Sequence, residues 1–283
     1  MKQEEKRTKN KKKETKESNR RRREDWLSVY ELFLRSGGRP AAAVIALSLA
    51  AEAAVILMLM RQETMYYENL FARGAIVPFV CGLVLLTLVL ADPLRAQKSN
   101  VDYTLRRLHI TPLAVYRIET VYVLLAYFVF WALHLTLLYA LGSYFTTQIS
   151  TAANREMGML LAFVRAPQLY MLLPIKNGFF LVRNVTGVLA LSACIARYSY
   201  FARKGQTKLA LAVITAILLA NVDGGVTDNL TNGIVTALML ACGLLAAGSV
   251  KSEEQEAETE PAAASRNSLK KRQAERMVED GSV

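Results

Sequence analysis

The chain has 283 residues, 53% of them hydrophobic, and a formal net charge of +11 at neutral pH. The apolar residues are grouped in long blocks between basic segments, and this grouping excludes an ordinary soluble domain. All three cysteines lie inside apolar blocks and form no C-x-x-C pair, so neither a disulfide framework nor a zinc site is predicted.

The N-terminal segment, 1–23, is strongly basic. It contains twelve Lys or Arg and four Glu, with no apolar face. Such a composition predicts a disordered cytoplasmic tail that contacts the anionic headgroups of the bilayer. No aromatic residue is interleaved to stack on bases, so a nucleic acid is not expected as a partner.

The next segment, 24–36, has the pattern of an amphipathic helix. Its polar side chains share one face and its large apolar side chains share another, with Trp26 and Tyr30 suited to the headgroup level. Gly37 and Gly38 can end this helix, and Pro40 suits the first turn of a following one. The sequence therefore predicts an interfacial helix, a sharp elbow and a first span.

Six apolar blocks are long enough, or nearly long enough, to cross a hydrocarbon layer of about 30 Å as helices. Together they predict an all-α, polytopic membrane helix bundle over 24–250, with spans at about 41–60, 74–91, 113–141, 178–196, 208–222 and 233–250. In the first span, alanine recurs at every fourth position (Ala42, Ala46, Ala50 and Ala54), a spacing that permits close contact between helices.

The orientation of the spans follows from Lys and Arg in the short loops. The loops at 92–117 and 197–208 are basic, whereas 221–232 has no basic residue. This distribution predicts a multi-pass protein of the plasma membrane with both termini in the cytoplasm. The proline-broken apolar segment 156–176 is interpreted as an interfacial or re-entrant element on the outer side, and 251–283 as a mobile cytoplasmic tail.

The loop between spans two and three, 98–117, has helix signals of its own. Val101, Leu105 and Leu108 share one helical face. Tyr103, Arg106 and Arg107 lie outside that face and are expected to be presented on the cytoplasmic side. Thr111 before Pro112 is a suitable N-cap and first-turn pair for the third span. The physics leaves two interpretations open, a docking element for a partner and a membrane-surface helix whose arginines meet phospholipid headgroups.

Charged residues inside spans are costly and usually face the bundle interior. Glu52 and Arg183 lie at similar depths in spans one and four, so the sequence predicts an intramembrane charge pair between them. The alternatives are a protonated Glu52 and an Arg183 that extends to the outer surface. His134 is interpreted as a hydrogen-bonded residue of the bundle rather than a ligand.

No catalytic constellation is found in the sequence. The chain contains no G-x-x-x-x-G-K-[ST], no H-E-x-x-H and no G-x-S-x-G. The sequence therefore predicts that the chain is not an enzyme, and it predicts no catalytic residue, metal site or cofactor.

The segment "YTLRRLHITPLAVYRIE", 103–119, together with the order of the elements, resembles the permease subunit of type-2 ATP-binding-cassette transporters, chiefly exporters. In that family the helix between spans two and three is the coupling helix, which docks on a separate ATPase subunit. The resemblance implies docking through Tyr103, Leu105, Arg106, Arg107 and Leu108, and a second permease subunit, identical or homologous. One departure is that the family's outer insertion usually lies between the last two spans, where this chain has a short polar loop at 221–232.

Two functions of other classes compete with the permease. The first is a non-transporting integral membrane scaffold or sensor that binds partners through its basic cytoplasmic segments. The second is a secondary transporter, although the sequence contains no internal repeat and few polar residues at the midplane, where such transporters bind their substrates.

Overall fold

The computed structural model describes the backbone of residues 2–60, 76–91, 110–148, 178–203 and 230–253, and side chains within 26–60, 77–91, 110–144, 181–203 and 230–253. These ranges contain five helices, named in chain order α1 (Lys2–Met60), α2 (Ile76–Ala91), α3 (Pro112–Gln148), α4 (Gly178–Arg203) and α5 (Leu230–Glu253). The prediction of an all-α fold is confirmed for this part of the chain.

Four helical stretches are long and apolar enough to cross a membrane, which indicates a multi-pass membrane protein. They are Trp26–Met60, Pro112–Tyr144, Leu181–Arg203 and Leu230–Glu253; α2 is apolar but shorter. Each contains or overlaps a predicted span. The predicted span 208–222, the segment 156–176, residues 98–109 and the tail beyond residue 253 lie outside the described residues.

The elbow predicted between the interfacial helix and the first span is absent. Helix α1 is continuous through Gly37, Gly38 and Pro40, and it begins at Lys2, so the segment expected to be disordered has a helical backbone. Pro40 lacks the N–H that would bond to the carbonyl of Ser36, and this local loss is tolerated because packing on both sides of Pro40 continues along one face.

The buried face of α1 explains this continuity. Its buried residues follow helical spacing without a break across the predicted elbow, at Val29, Phe33, Gly37, Ala41, Ile45, Ser48, Glu52 and Ile56. The neighbouring stripe of Ala42, Ala46, Ala50 and Ala54 is exposed. The alanine spacing suggested that this stripe would contact another helix. Within the described residues, α1 instead packs through the adjacent stripe, which includes Ala41 and Ile45.

Helices α1, α2 and α3 form one half of the bundle. The ring of Phe79 on α2 stacks on Phe130 of α3 at 5.4 Å, and the hydroxyls of Thr87 and Tyr127 are 2.6 Å apart, so α2 and α3 are antiparallel. Gly82 lets α2 approach α1, because a Cβ there would overlap the side chain of Ser48 and lie 3.1 Å from Phe130.

Helix α4 lies at the centre of the described helices. The most apolar stretch of α4 is 61% buried inside the protein, whereas the corresponding stretches of the other three membrane-spanning helices are 33% buried or less. It contacts α3, and α5 packs against it where a Cβ on Gly187 would meet Met239 at 3.2 Å and one on Gly243 would meet Ala190 at 3.3 Å. Gly187 pairs with Met239 and Ala190 pairs with Gly243, so the contacts advance in the same direction along both helices and α4 and α5 are parallel.

The predicted start of α3 is confirmed. The backbone N–H of Ala114 lies 3.3 Å from Thr111 Oγ1 and 2.9 Å from the Thr111 carbonyl, and Pro112 is the first helical residue. The hydroxyl supplies an acceptor to one of the backbone donors that a helix leaves unpaired at its start, and proline fits a position whose N–H would be unpaired anyway.

Candidate functional site

Besides the pair of hydroxyls Thr87 and Tyr127, three pairs that each contain an acidic or basic side chain join neighbouring helices among the described residues, and these three are the strongest candidates for function in this part of the chain. They are Glu52 with His134, Arg183 with Asn232, and Glu119 with Arg203. Polar and ionisable side chains inside a membrane bundle are costly to bury, and they usually mark functional positions.

The first pair connects α1 to α3. His134 Nδ1 lies 2.7 Å from Glu52 Oε2, and the two side chains are only 3% and 2% exposed. The ring of Phe79, from α2, lies 4.3 Å from the imidazole and covers it. Glu52 Oε1 is buried and has no hydrogen-bond partner. The pair is therefore enclosed by three helices and retains one unused acceptor atom.

The two side chains can form this contact without a net charge on the pair. With one proton between them, Glu52 and His134 are jointly neutral, either as carboxylate and imidazolium or as carboxylic acid and imidazole. Both forms avoid leaving a single net charge in an apolar interior, which would be far more costly. The interpretation of His134 as a hydrogen-bonded residue of the bundle is confirmed.

The predicted pair between Glu52 and Arg183 is not formed. Arg183 NH1 instead donates to Asn232 Oδ1 at 2.7 Å, near the first turns of α4 and α5, and its side chain is buried rather than extended to the surface. The prediction relied on depth alone. Helix α1 packs on α2 and α3 rather than along α4, so the face of α1 that carries Glu52 meets His134 of α3.

The third pair was not predicted from the sequence. Arg203 NH2 donates to Glu119 Oε2 at 2.8 Å, with the Arg203 side chain 14% exposed and that of Glu119 fully buried. Arg203 was predicted only to lie in the basic loop 197–208, and Glu119 only to lie where the segment 103–119 runs into the third span. A signal was present, since one acidic residue follows one basic residue, Arg117, at the start of an otherwise uncharged span.

The same region holds a further contact between α3 and α4, in which the Tyr116 hydroxyl donates to the carbonyl of Ala193 at 3.3 Å. Within α4, Arg197 lies one turn further along, with its guanidinium 5.4 Å from the Phe201 ring centre. Tyr116 also packs in an apolar cluster with Ala196, Tyr200, Phe201 and Val250. The start of α3 and the ends of α4 and α5 therefore meet here.

We define the basic end of the bundle as the end that carries Arg117, Arg197, Arg203 and Lys251. The part of α1 that contains Arg35 and Arg39 lies at the same end, because the neighbouring Phe33 stacks on Tyr122 near the start of α3. Among the described side chains, Arg183 is the one basic residue at the opposite end.

The residues implied for partner docking, Tyr103, Leu105, Arg106, Arg107 and Leu108, lie outside the described residues. The described part of the chain contains no group of three metal-ligating side chains. No protein-family model, no curated protein and no solved structure matches this chain.

Proposed function

We propose that this protein is the membrane-spanning permease subunit of an ATP-binding-cassette exporter, driven by a separate ATPase subunit that docks on residues 98–117. One observation carries the proposal. The basic segment that resembles a coupling helix leads directly into the Thr111 cap of α3, at the basic end of the bundle. A helix docked there would transmit its displacement to α3, a rigid helix of 37 residues.

Six spans with both termini in the cytoplasm are part of this proposal. Because α4 and α5 are parallel neighbours, the chain between Arg203 and Leu230 has to return along the length of the bundle. This supports a span at 208–222. The clustering of basic side chains at one end supports the cytoplasmic assignment of that end, since short cytoplasmic loops are enriched in Lys and Arg.

The power source has to be another polypeptide, because the sequence has no phosphate-binding loop for ATP. Two permease subunits, identical or homologous, would form the pathway between them. The substrate would be exported rather than imported, as in most members of the family that the segment resembles.

The experiment is co-purification from native membranes in mild detergent. Arg106→Glu with Arg107→Glu is expected to abolish recovery of a nucleotide-binding ATPase, because arginine at a docking surface pairs with carboxylates that glutamate would repel. Arg35→Glu with Arg39→Glu is the matched control, because both arginines are exposed at the same end of the bundle but lie outside the proposed docking segment.

The result that would overturn the proposal is wild-type protein that recovers no nucleotide-binding subunit at all. In that case the scaffold function would replace it. A surface helix that contacts only lipid predicts a different response, in which the reversal weakens contact with anionic membranes by about 1 kcal/mol per charge and removes no protein partner.

A further inference from the structure

Two arginines at the basic end keep buried nitrogen atoms for which the described residues supply no acceptor. Arg203 donates from NH2 to Glu119, but its NH1 is buried and has no hydrogen-bond partner. Arg197 Nε is likewise buried and without a partner. Both side chains belong to the last two turns of α4 and lie toward the start of α3.

Buried donors without acceptors are rare and costly, and each one calls for a partner of some kind. Glu119 Oε1 belongs to the same region and is itself buried without a partner, so neither nitrogen bonds to it. The Arg203 side chain is 14% exposed, and Arg197 is intermediate between buried and exposed. The unpaired nitrogens themselves are buried, but each belongs to a side chain that is partly open to the outside, and an acceptor from outside the chain can approach the side chain there.

The charges of this region favour an anion. Arg117, Arg197, Arg203 and Lys251 stand against Glu119 and Glu253 among the described side chains, and Lys204 and Lys208 follow directly in the sequence. The region is also where the apolar spans give way to basic loops. Arg197 lies against Phe201 and beside the cluster of Tyr116, Ala196, Tyr200 and Val250, and a basic side chain next to tyrosines is typical of the level at which lipid headgroups meet a membrane protein.

We propose that Arg197 and Arg203 form a binding site for the phosphate of an anionic lipid headgroup at the basic end of α3 and α4. A guanidinium presents a planar fork of donors that fits phosphate oxygens, and it can hold Glu119 with one nitrogen while it binds phosphate with another. Basic pockets between membrane helices on the cytoplasmic side are known to hold such headgroups. The site does not depend on the transport function proposed above.

The test is native mass spectrometry of the full-length protein in mild detergent, titrated with phosphatidylglycerol and with diacylglycerol of the same chains. High salt removes lipid held only by the basic N-terminal segment. Wild-type protein is expected to retain one phosphatidylglycerol preferentially and no diacylglycerol. Arg197→Lys and Arg203→Lys should each weaken the retention about five- to tenfold, because lysine keeps the charge but loses the fork.

Arg39→Lys is the matched control, since Arg39 is exposed at the same end, and it should leave retention unchanged. Lysine is used at position 203 because it still provides a cation for Glu119, and unchanged thermal unfolding will show that the variants are folded. Glu119→Gln, which removes the competing negative charge, should strengthen retention.

Three results would overturn the site. One is retention that falls equally in Arg39→Lys, and another is retention unaffected by both cluster variants. The third is a gain in thermal stability with inorganic phosphate that needs Arg197 and Arg203, combined with no preference for phosphatidylglycerol, which would assign the arginines to a free anion instead of a lipid.

Discussion

Glu52 and His134 show how a buried ionisable residue is accommodated inside an apolar bundle. Their 2.7 Å contact offsets part of the free-energy cost of burying both groups, and the ring of Phe79 lies 4.3 Å from the imidazole. Breaking such a pair on one side leaves an unpaired polar group, whereas replacing both partners with apolar residues is far less costly.

The first prediction concerns this coupling. Glu52→Leu and His134→Phe should each lower the free energy of unfolding by about 1–3 kcal/mol, since each leaves a buried polar group without its partner. The double variant should lose less than the sum of the two, by at least about 1 kcal/mol. Reversible denaturation in detergent micelles measures all four proteins.

The control cycle combines Glu52→Leu with Arg183→Gln, the partner that depth in the sequence suggested. Because these residues bind different groups, their effects should add within about 0.5 kcal/mol. Strong coupling between positions 52 and 183, with additivity between 52 and 134, would contradict the arrangement described here.

At the scale of single elements, α1 shows most clearly how packing overrides local signals. Gly37, Gly38 and Pro40 all favour a helix boundary. The buried stripe from Val29 to Ile56 nevertheless keeps the helix continuous, because Phe33 and Tyr30 both contact the ring of Tyr122 on α3, at 6.1 Å between ring centres. The amphipathic segment thus packs on the bundle along its apolar face.

The second prediction distinguishes a packed α1 from a separate interfacial helix. Phe33→Ala should lower the free energy of unfolding by about 3–5 kcal/mol, because it removes a fully buried aromatic side chain from the contact with α3. Leu34→Ala is the control, since Leu34 is 50% exposed and should cost less than about 0.5 kcal/mol. Equal, small effects of both changes would indicate a segment that lies on the membrane and not on α3.

For the whole molecule, the direction of each helix decides which residues share an end. Helices α1 and α3 run one way, α2 runs the other, and α4 and α5 are parallel. The basic side chains of four different helices consequently collect around the start of α3. Two polar pairs join α3 to its neighbours: Glu119 with Arg203 links α3 to α4, and His134 with Glu52 links α3 to α1.

The third prediction concerns this topology. In a cysteine-free background, a membrane-impermeant thiol reagent added from outside should label position 226 but not positions 205 or 260. The reason is that the basic loop around 205 and the C-terminal tail are predicted to be cytoplasmic, whereas the loop before α5, which has no basic residue, is predicted to be outside. Labelling of position 205 in intact cells would eliminate the six-span arrangement.

The sequence alone determined the class of the molecule. The apolar blocks predict helices of membrane-spanning length because unpaired backbone groups are not tolerated in hydrocarbon, and Thr111–Pro112 predicts the start of α3 because capping is a local interaction. Only the tertiary structure decided that α1 is continuous through Pro40, that Glu52 binds His134, and that Arg203 binds Glu119. Hydropathy and helical spacing specify depth and face but not which neighbour a face meets, since that depends on contacts between residues far apart in the chain.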